Sequence, residues 1–426
     1  MWDVEQIYAL QDQKLRRLIT HAYENVPYYK KVFENSKLRP KDIISKKDIA
    51  KIPVLTKNVI REAGISNMIA HGWQRHLIPN SSSGATGEPL QFYIDKNTKS
   101  WATAAQYREW HHAGYRFGDK IFTLWGNPLS IKETKSLKKK LSYWLRKDTL
   151  FPAFKLDNKA SLLSCVDKMQ KVAPQIIYGY PQAIYIIAEF LKANNIVLNF
   201  TPKAVITTGE NLLQFQRHVI ETQFNTKVYD QYGCGEVMSI AFQRNSDNYR
   251  IIDEHVIVEI TNNRGEPLGL NRLGLITVTD LDNYGMPFIR YQNGDLGILT
   301  YDDKIKRIVL KRIVGRTTEL ILTPTNRILV PLAFISIYRK VKGIRRFQIV
   351  QDDLHTITIK LVKSNGFTQL EFNKIVNFNK TYIEKHGISV NYIFVDRIEV
   401  DPTGKYSLFK SKISTDKLLR ALFKED

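Results

Sequence analysis

Cysteine is scarce in this chain. Its 426 residues include two, Cys165 and Cys234, which lie far apart in sequence. Two cysteines cannot build a disulfide framework, and by themselves they cannot form a zinc site. We therefore expect a reducing environment and a cytoplasmic location.

Long apolar runs are also missing. The most apolar window, residues 176–191, is interrupted by Gly179, Pro181 and Glu189 and is too short to cross a bilayer. The first residues, MWDVEQIYALQDQKLRRL, are polar and mixed in charge, whereas a secretory signal has an apolar stretch there. We expect neither a secretory signal nor a membrane span.

Acidic residues are few relative to basic ones: 42 Asp and Glu stand against 63 Lys and Arg, for a formal net charge of +21. The excess is densest in residues 301–346, with twelve basic and three acidic residues, and in residues 132–147, with seven and one. A strongly basic protein meets nucleic acid, an anionic membrane surface or the phosphates of a small molecule. No zinc-finger or RNP-type signature is present, so we expect no nucleic-acid partner.

The apolar content is nevertheless ordinary, at 43% hydrophobic and 11% aromatic residues, which suffices for packed cores. A helical periodicity ends near Asn25, short strands and a helix alternate over residues 203–229, and β-hairpins follow over residues 255–300. Further along, the strand patterns cover residues 347–350, 356–362 and 390–395, and the helical patterns cover residues 331–341 and 369–385.

These patterns predict an α/β fold with two domains. A large N-terminal domain of mixed sheets and helices would cover residues 1–315, and a small mobile α+β C-terminal domain would cover residues 316–426. We place the hinge between them near residues 317–319, where a Gly-Arg pair precedes TTE.

Five short segments carry groups suited to nucleotide chemistry: SSSGATGEP (81–89), YDQYGCGEV (229–237), PFIRYQNGDLG (287–297), GRTTELIL (315–322) and DPTGKY (401–406). The first offers hydroxyls and backbone N–H groups to an anion. The second offers an aromatic ring for a base and, three residues beyond a glycine, a carboxylate for a cation. The third places Asp295 after a glycine in a tight turn. Taken singly, each segment is equally compatible with an ordinary loop or turn.

The order and spacing of these segments resemble the signature motifs of the adenylate-forming enzymes. Five further segments resemble the phenylacetate–CoA ligase and CapK-like branch: HAYENVPYYKKVF (21–33), IPVLTK (52–57), YGYPQAIYIIAEFL (178–191), ITTGENL (206–212) and DEHVIVEI (253–260). The resemblance covers essentially the whole chain. It implies an enzyme that uses ATP to activate a carboxylic acid as an acyl-adenylate, releases pyrophosphate and transfers the acyl group to CoA or another acceptor.

The resemblance also implies roles for individual residues. The residues that would bind ATP or AMP are Ser82, Ser83, Gly84, Thr86, Gly87, Gly209, Glu210, Asp230, Tyr232, Gly233, Asp295 and Arg316. Among these, Tyr232 would stack on adenine, and Asp295 would accept from the ribose hydroxyls. Glu236 would bind Mg²⁺, and Lys405 would reach the reacting carboxylate and the α-phosphate. The acid pocket would include residues 124–126 and 178–181.

Four departures from the family pattern stand out, two in the phosphate loop and two at positions that bear on the acyl group or its acceptor. Ala85 and Glu88 stand where the phosphate loop commonly has Thr and Lys, and Gly235 replaces the Thr of the Tyr-Gly-x-Thr-Glu motif. No glycine lies between residues 322 and 330, where the family often has one beside the thiol tunnel; Asn326 could supply the left-handed turn there. These departures leave the acceptor open: CoA is the default, and an amine or hydroxyl is the alternative.

Several partners and alternatives stay open. The resemblance to CapK-like proteins implies a role in surface polysaccharide biosynthesis, while a binding protein that keeps the fold without the chemistry is the alternative from another class. A homodimer is also open. For residues 132–147, a helical wheel places Leu137, Leu141, Trp144 and Leu145 on one face. We expect that face to pack on the core; the alternative is peripheral contact with the anionic inner face of a membrane.

Overall fold

The computed structural model describes residues 3–82, 90–126, 137–156, 158–244, 246–329, 334, 338, 341–398 and 408–423. These residues divide into two compact units. The first contains the described residues up to 293 together with residues 297–314. The second contains residues 294–296 and the described part of the chain from residue 315 onward.

An eleven-stranded sheet is the framework of the first unit. Five of its strands are parallel, in the spatial order β4-β3-β5-β6-β7: β3 (Ile121–Trp125), β4 (Asp148–Pro152), β5 (Ile176–Gly179), β6 (Ala204–Thr208) and β7 (Val228–Cys234). All five residues of β6 are buried. A strand that is buried along its whole length is typical of a parallel sheet covered on both faces.

The strand direction changes after β7. The sheet continues in the order β8-β9-β13-β12-β11-β10, and the pairs β7/β8, β8/β9, β9/β13 and β10/β11 are antiparallel. The strands are β8 (Met238–Gln243), β9 (Tyr249–Ile251), β10 (Val256–Thr261), β11 (Leu273–Asp280), β12 (Tyr291–Asp302) and β13 (Arg307–Arg316). A separate antiparallel pair, β1 (Leu77–Ser81) and β2 (Gln91–Asp95), flanks residues 82–90 in sequence.

In the α/β part of the first unit, the described residues form five helices: α4 (Lys96–His112), α5 (Leu137–Leu145), α6 (Lys159–Val172), α7 (Pro181–Ala193) and α8 (Gln214–Phe224). Their starts follow known capping chemistry. The Asp95 side chain accepts from the Thr98 N–H, and Asn158 accepts from the Ser161 N–H. Helix α7 begins with a proline at its first position, where no N–H partner is needed. No helix among the described residues is long and apolar enough to span a bilayer.

The N-terminal helices are held to the sheet by contacts distant in sequence. They are α1 (Val4–Asn25), α2 (Pro27–Asn35) and α3 (Lys57–Ala63). Gln11 donates from Nε2 to the carbonyls of Asp253 and Val256, at 3.0 and 2.9 Å, and Tyr29 donates from its hydroxyl to the Pro287 carbonyl at 2.9 Å. These buried polar contacts satisfy backbone groups that would otherwise be desolvated without partners.

The second unit has its own sheet. Four strands lie in the order β18-β17-β16-β19: β16 (Ile344–Gln351), β17 (Thr356–Lys363), β18 (Ser389–Phe394) and β19 (Phe409–Ser411). The hairpin β14 (Ile321–Leu322) and β15 (Ile328–Leu329) precedes it, and helices α9 (Gln369–Tyr382) and α10 (Thr415–Phe423) complete the described part. The α9 residue Asn379 exchanges hydrogen bonds with the Tyr338 hydroxyl, which anchors the helix in a buried position.

The predicted α/β class, with a large mixed-sheet domain and a C-terminal domain, is confirmed. Asn326 adopts the left-handed conformation expected of it, with φ of 56°. Two expectations about the strands are wrong. Asp295 does not lie in a tight turn, because β12 runs through it with Gly294 at φ 87°. The strand near residues 390–395 is not the last one, because β19 follows and pairs parallel with β16.

The predicted helix at residues 331–341 lies mostly outside the described part of the chain. The expected core packing of Leu141, Trp144 and Leu145 is also wrong, because these side chains are 56%, 73% and 64% exposed. The side chain of Leu137, the fourth residue of that face, lies outside the described part.

Candidate active site

The carboxyl ends of three neighbouring parallel strands converge on one point of the first unit. Trp125 ends β3, Tyr180 follows β5 and Gly209 follows β6. The Trp125 and Tyr180 rings stack with centroids 4.3 Å apart. Gly209 has φ 81°, and a Cβ added there would lie 3.0 Å from the Tyr180 ring. Glycine therefore permits both the turn and the close approach, and ligands of open α/β sheets bind at this edge.

Glu210 lies beside the start of α7. Its Oε2 accepts from the backbone N–H of Gln182 at 3.3 Å. The amino end of a helix has unsatisfied N–H groups and a partial positive charge, so a carboxylate is stabilised there. This contact links the turn after β6 to α7, and the predicted contact of Glu210 with adenine stays a prediction.

Asp230 is enclosed within the sheet. Oδ1 accepts from the Thr207 hydroxyl and Oδ2 accepts from the Tyr249 hydroxyl, both at 2.6 Å. Burial raises the pKa of the Asp230 carboxyl to about 6, although the two hydroxyl donors and Arg217 act in the opposite direction. Both oxygens are thus used inside the protein, which favours a structural role; the predicted place of Asp230 beside adenine stays a prediction.

Tyr232 and Gly233 occupy an irregular point in β7. The Tyr232 hydroxyl accepts from Asn293 Nδ2 at 2.7 Å, and the residue is 7% exposed. The register with β8 shifts between Tyr232 and Gly233, and a Cβ on Gly233 would lie 1.9 Å from the Met238 carbonyl oxygen. Only glycine fits there. The stacking of Tyr232 on adenine stays a prediction.

Glu236 lies in the turn after β7, where it is 3% exposed. Its Oε1 accepts from the Tyr291 hydroxyl at 2.8 Å, and Lys57 Nζ lies 3.6 Å from the same oxygen. Sequence analysis missed both partners as site residues. The sequence signal that could have identified Lys57 is the IPVLTK segment, which ends with this lysine. Within that segment Leu55 pairs with Tyr291 in a parallel bridge, and this pairing brings the start of α3 to Glu236.

The Glu236 turn also lies beside the phosphate-loop segment. A Cβ on Gly235 would lie 3.9 Å from the Ser81 carbonyl oxygen, and Asn80 Nδ2 donates to the Gly235 carbonyl at 3.4 Å. Ser82 and Leu90 close the two ends of the segment, because the Ser82 N–H donates to the Leu90 carbonyl and the Ser82 hydroxyl accepts from the Leu90 N–H, both at 2.9 Å. The first two sequence motifs therefore meet.

The predicted loop residues between these ends, Ser83, Gly84, Thr86 and Gly87, lie outside the described residues, as do Ala85, Glu88 and Lys405. Asp295 and Arg316 lie in the second unit, where Arg316 Nε is 3.5 Å from Asp295 Oδ1. Asp295, which is expected to accept from the ribose hydroxyls, and Arg316, which is expected near ribose and phosphate, are therefore neighbours.

A second polar cluster lies under α1. His255, Asp280 and Asp282 are buried with ligand-type atoms within 4.8 Å of one another, a grouping that the histidine spacing did not predict. His255 Nδ1 lies 2.8 Å from Asp282 Oδ2, and Lys14 Nζ lies 2.7 Å from Asp282 Oδ1. The two carboxylates raise the pKa of His255 against the effect of its burial. Two cationic partners favour an ion-pair network over a metal site.

The sequence is also similar to those of known proteins. Residues 321–412 match the family model of the CapK C-terminal domain. The chain is 26% identical over 409 residues to Protein CapK of Staphylococcus aureus, covering 94% of this chain and 88% of CapK. It is 27% identical over 325 residues to phenylacetate-coenzyme A ligase of Aromatoleum evansii, covering 75% and 72%. The chain is a homologue of CapK and the phenylacetate-coenzyme A ligases.

The fold agrees as well. A crystal structure of 2-hydroxyisobutyryl-CoA ligase in the postadenylation state, in complex with R3-HIB-AMP, matches with a TM-score of 0.75 at 16% identity, covering 99% of this chain and 92% of the ligase. At this identity the match shows the fold alone. This homologue of CapK thus has the fold of an adenylate-forming CoA ligase with a C-terminal domain.

Proposed function

We propose that this chain is an AMP-forming acid ligase that activates a carboxylic acid with ATP. The observation that carries the proposal is the meeting of residues 80–82, which begin the phosphate-loop segment and pair with Leu90 at its end, with the Glu236 turn. These are the two places to which the family resemblance assigns the triphosphate and its cation. The relatives that are named as coenzyme A ligases support the same activity class.

In the proposed reaction a carboxylate oxygen of the acid attacks the α-phosphorus of ATP. The bond from that phosphorus to the oxygen bridging the α- and β-phosphates breaks, and the electron pair leaves with pyrophosphate. Two anions must approach each other, so the main task of the site is to hold them in place and offset their charge. Lys405 would supply the mobile cation at the reacting carboxylate, Asp295 would accept from the ribose hydroxyls, and Arg316 would lie near ribose and phosphate.

Mg²⁺ fits the donor set at Glu236. A carboxylate is a hard oxygen ligand of the type that Mg²⁺ prefers, and its two oxygens have about four lone-pair positions, so the Tyr291 hydrogen bond does not exhaust it. Bound there, the ion would offset phosphate charge. Lys57 would add a fixed positive charge on the same side, and Tyr291 would orient the carboxylate.

The acid would bind where Trp125, Tyr180 and Gly209 converge. Aromatic rings at this edge offer apolar surface to the body of the acid, while the turn after β6 offers backbone polar groups. The acceptor would be CoA, with an amine or hydroxyl as the second candidate, because Gly235 and the missing glycine of residues 322–330 depart from the family pattern. We also propose a role in surface polysaccharide biosynthesis, based on the resemblance to CapK.

The test is pyrophosphate exchange across a panel of carboxylic acids. At least one acid should support exchange into ATP, and Lys405→Ala should remove most of it while leaving the far-ultraviolet circular dichroism unchanged. Lys410→Ala is the matched control, because Lys410 is an exposed lysine five residues along the same chain. Near-normal exchange by the Lys405 variant would overturn the assignment of that lysine.

Two measurements separate the alternatives. ATP binding by calorimetry without exchange for any acid would favour the fold-retaining binding protein. Exchange that continues without thioester formation on addition of CoA would favour an amine or hydroxyl acceptor.

We further propose that residues 1–315 and 316–426 are domains that rotate about residues 317–319, so that Lys405 enters the site as the second domain closes and excludes water.

A further inference from the structure

Helix α5 carries an apolar stripe that nothing covers among the described residues. Leu141, Trp144 and Leu145 are spaced by three and four positions, so they share one side of the helix. Their exposed fractions are 56%, 73% and 64%. An apolar stripe of this spacing normally packs on a core, and its exposure here indicates contact with something outside the chain.

A second apolar side chain lies beside the end of α5. Phe117 is 99% exposed in the loop of residues 114–120, which leads into β3. The loop and the end of α5 are neighbours, because the Ile121 N–H donates to the Lys147 carbonyl at 3.0 Å. Lys147 Nζ also lies 4.0 Å from where a Cβ on Gly118 would be. We call α5 together with residues 114–120 and 146–147 the α5 surface.

The charge of the α5 surface is positive. Lys120, Lys140 and Lys147 are exposed, as are Arg116 and Arg146. The carboxylates nearby are already paired: Asp119 accepts from Lys203 at 2.8 Å, and the partly buried Asp148 accepts from the Thr123 hydroxyl at 2.6 Å. Among the residues that the structure describes, exposed lysines and arginines therefore surround the apolar stripe without matching exposed acids.

The α5 surface lies at the amino ends of β3 and β4, where Ile121 pairs with Asp148. The candidate active site lies at the opposite edge of the same sheet, where Trp125 ends β3. A partner on the α5 surface would therefore leave the candidate site accessible.

We propose that the α5 surface docks on an anionic phospholipid membrane. A tryptophan and two leucines between lysines are the composition of a helix that lies in the membrane interface, with its apolar side among the acyl chains and its bases near the headgroups. A nucleic acid would pair with the lysine and arginine side chains but would leave Leu141 and Leu145 in water. The membrane accounts for both the charge and the apolar stripe.

The experiment is co-sedimentation of the full chain with vesicles of phosphatidylcholine containing phosphatidylglycerol, and with vesicles of phosphatidylcholine alone. Binding should require the anionic lipid and should weaken when salt is raised from about 0.05 M to about 0.5 M, because the Debye length shortens severalfold. Trp144→Ala and the pair Lys140→Glu with Lys147→Glu should each weaken binding about tenfold or more, equal to about 1.4 kcal/mol.

Matched controls test whether the effect belongs to this surface. Ile44→Ala removes a side chain that is 57% exposed on another segment, and Lys30→Glu with Lys31→Glu reverses two exposed charges on α2. Both controls should bind as the unaltered chain does. Equal loss in the controls, no binding at low salt, or retention of binding by both α5 variants would overturn the proposal. Vesicle binding that depends on the lysines but not on Trp144, and that duplex DNA reverses, would also overturn the proposal.

Discussion

Arg290 provides the sharpest test of how the first unit is held together. It is 1% exposed, and its guanidinium makes five hydrogen bonds. Two run to the Glu259 carboxylate at 3.0 and 2.9 Å; the others run to the carbonyls of Ala50, Ile52 and Gly265 at 3.1, 2.6 and 2.6 Å. Every N–H donor of the side chain has a partner. The residue joins β10 and β12 to the segment that precedes α3.

Replacing Arg290 with Met keeps most of the volume and removes all five donors. Breaking a buried ion pair from one side costs about 3–5 kcal/mol, because the remaining charge stays buried without its partner. The three carbonyls lose their donors as well, although such losses do not add fully. We expect a loss of at least about 4 kcal/mol from a total that is ordinarily about 5–15 kcal/mol.

The assay is urea unfolding followed by tryptophan fluorescence. All six tryptophans lie within residues 2–144, so the described ones report on the unit that contains Arg290. With a denaturant dependence of about 3 kcal/mol per molar urea for a unit of this size, the midpoint should fall by about 1 M. Arg312→Met is the control, because Arg312 is exposed.

Two further results would support the physical cause. Burial raises the pKa of Glu259 even with Arg290 present, so without Arg290 that pKa should rise further. The cost of Arg290→Met should then be smaller at pH 5 than at pH 7.5, because a protonated Glu259 needs no cation. Adding Glu259→Leu to the variant should recover part of the loss. A cost within about 1 kcal/mol of the Arg312 control would refute the reasoning.

The remaining predictions concern a buried acid, the nucleotide and the hinge. The pKa of Asp230 in the folded chain, about 6, lies above its unfolded value. The stability contributed by the neutral form is therefore present below about pH 4 and is lost as pH rises through about 6. In urea unfolding, the unaltered chain should lose about 1 kcal/mol relative to Asp230→Asn between pH 5 and 7.5. Asp295→Ala should weaken ATP binding tenfold or more in calorimetry, since a charge-assisted pair of hydrogen bonds contributes about 2 kcal/mol; unchanged affinity would contradict its assignment to ribose. Tryptic cleavage near residues 317–319 should slow when ATP and the acid are bound, and equal rates with and without ligands would argue against domain closure.

The sequence allowed a good prediction of the elements with a clear period. Helix α1 was predicted from its apolar spacing, and it ends at Asn25 before Pro27. A three-residue strand such as β19 has too few positions to show alternation, so it was missed. Asp295 was wrongly predicted to lie in a tight turn, because Asn-Gly-Asp is typical of turns. In the structure Gly294 has a positive φ, yet β12 continues through it.

The site was predicted less completely, for a different reason. Motifs indicate residue types but not which distant segments touch. Lys57 meets Glu236 because Leu55 lies beside Tyr291, and no local pattern reports a pairing over so long a separation. The stripe on α5 was wrongly expected in the core, because periodicity identifies one apolar side of a helix without indicating what covers it.

The anchoring of α1 and α2 has a consequence for how the chain is made. Gln11 bonds to a carbonyl 242 residues further along, and Tyr29 bonds to one 258 residues further along. During synthesis at about 5–20 residues per second, the first helices therefore wait roughly 10–50 s for the strands that cover them. Throughout that time the side of α1 that carries Leu15, Leu18 and Ile19 is exposed on the nascent chain. The helices α1 and α2 are thus open to chaperones and to aggregation until the strands that cover them have been made.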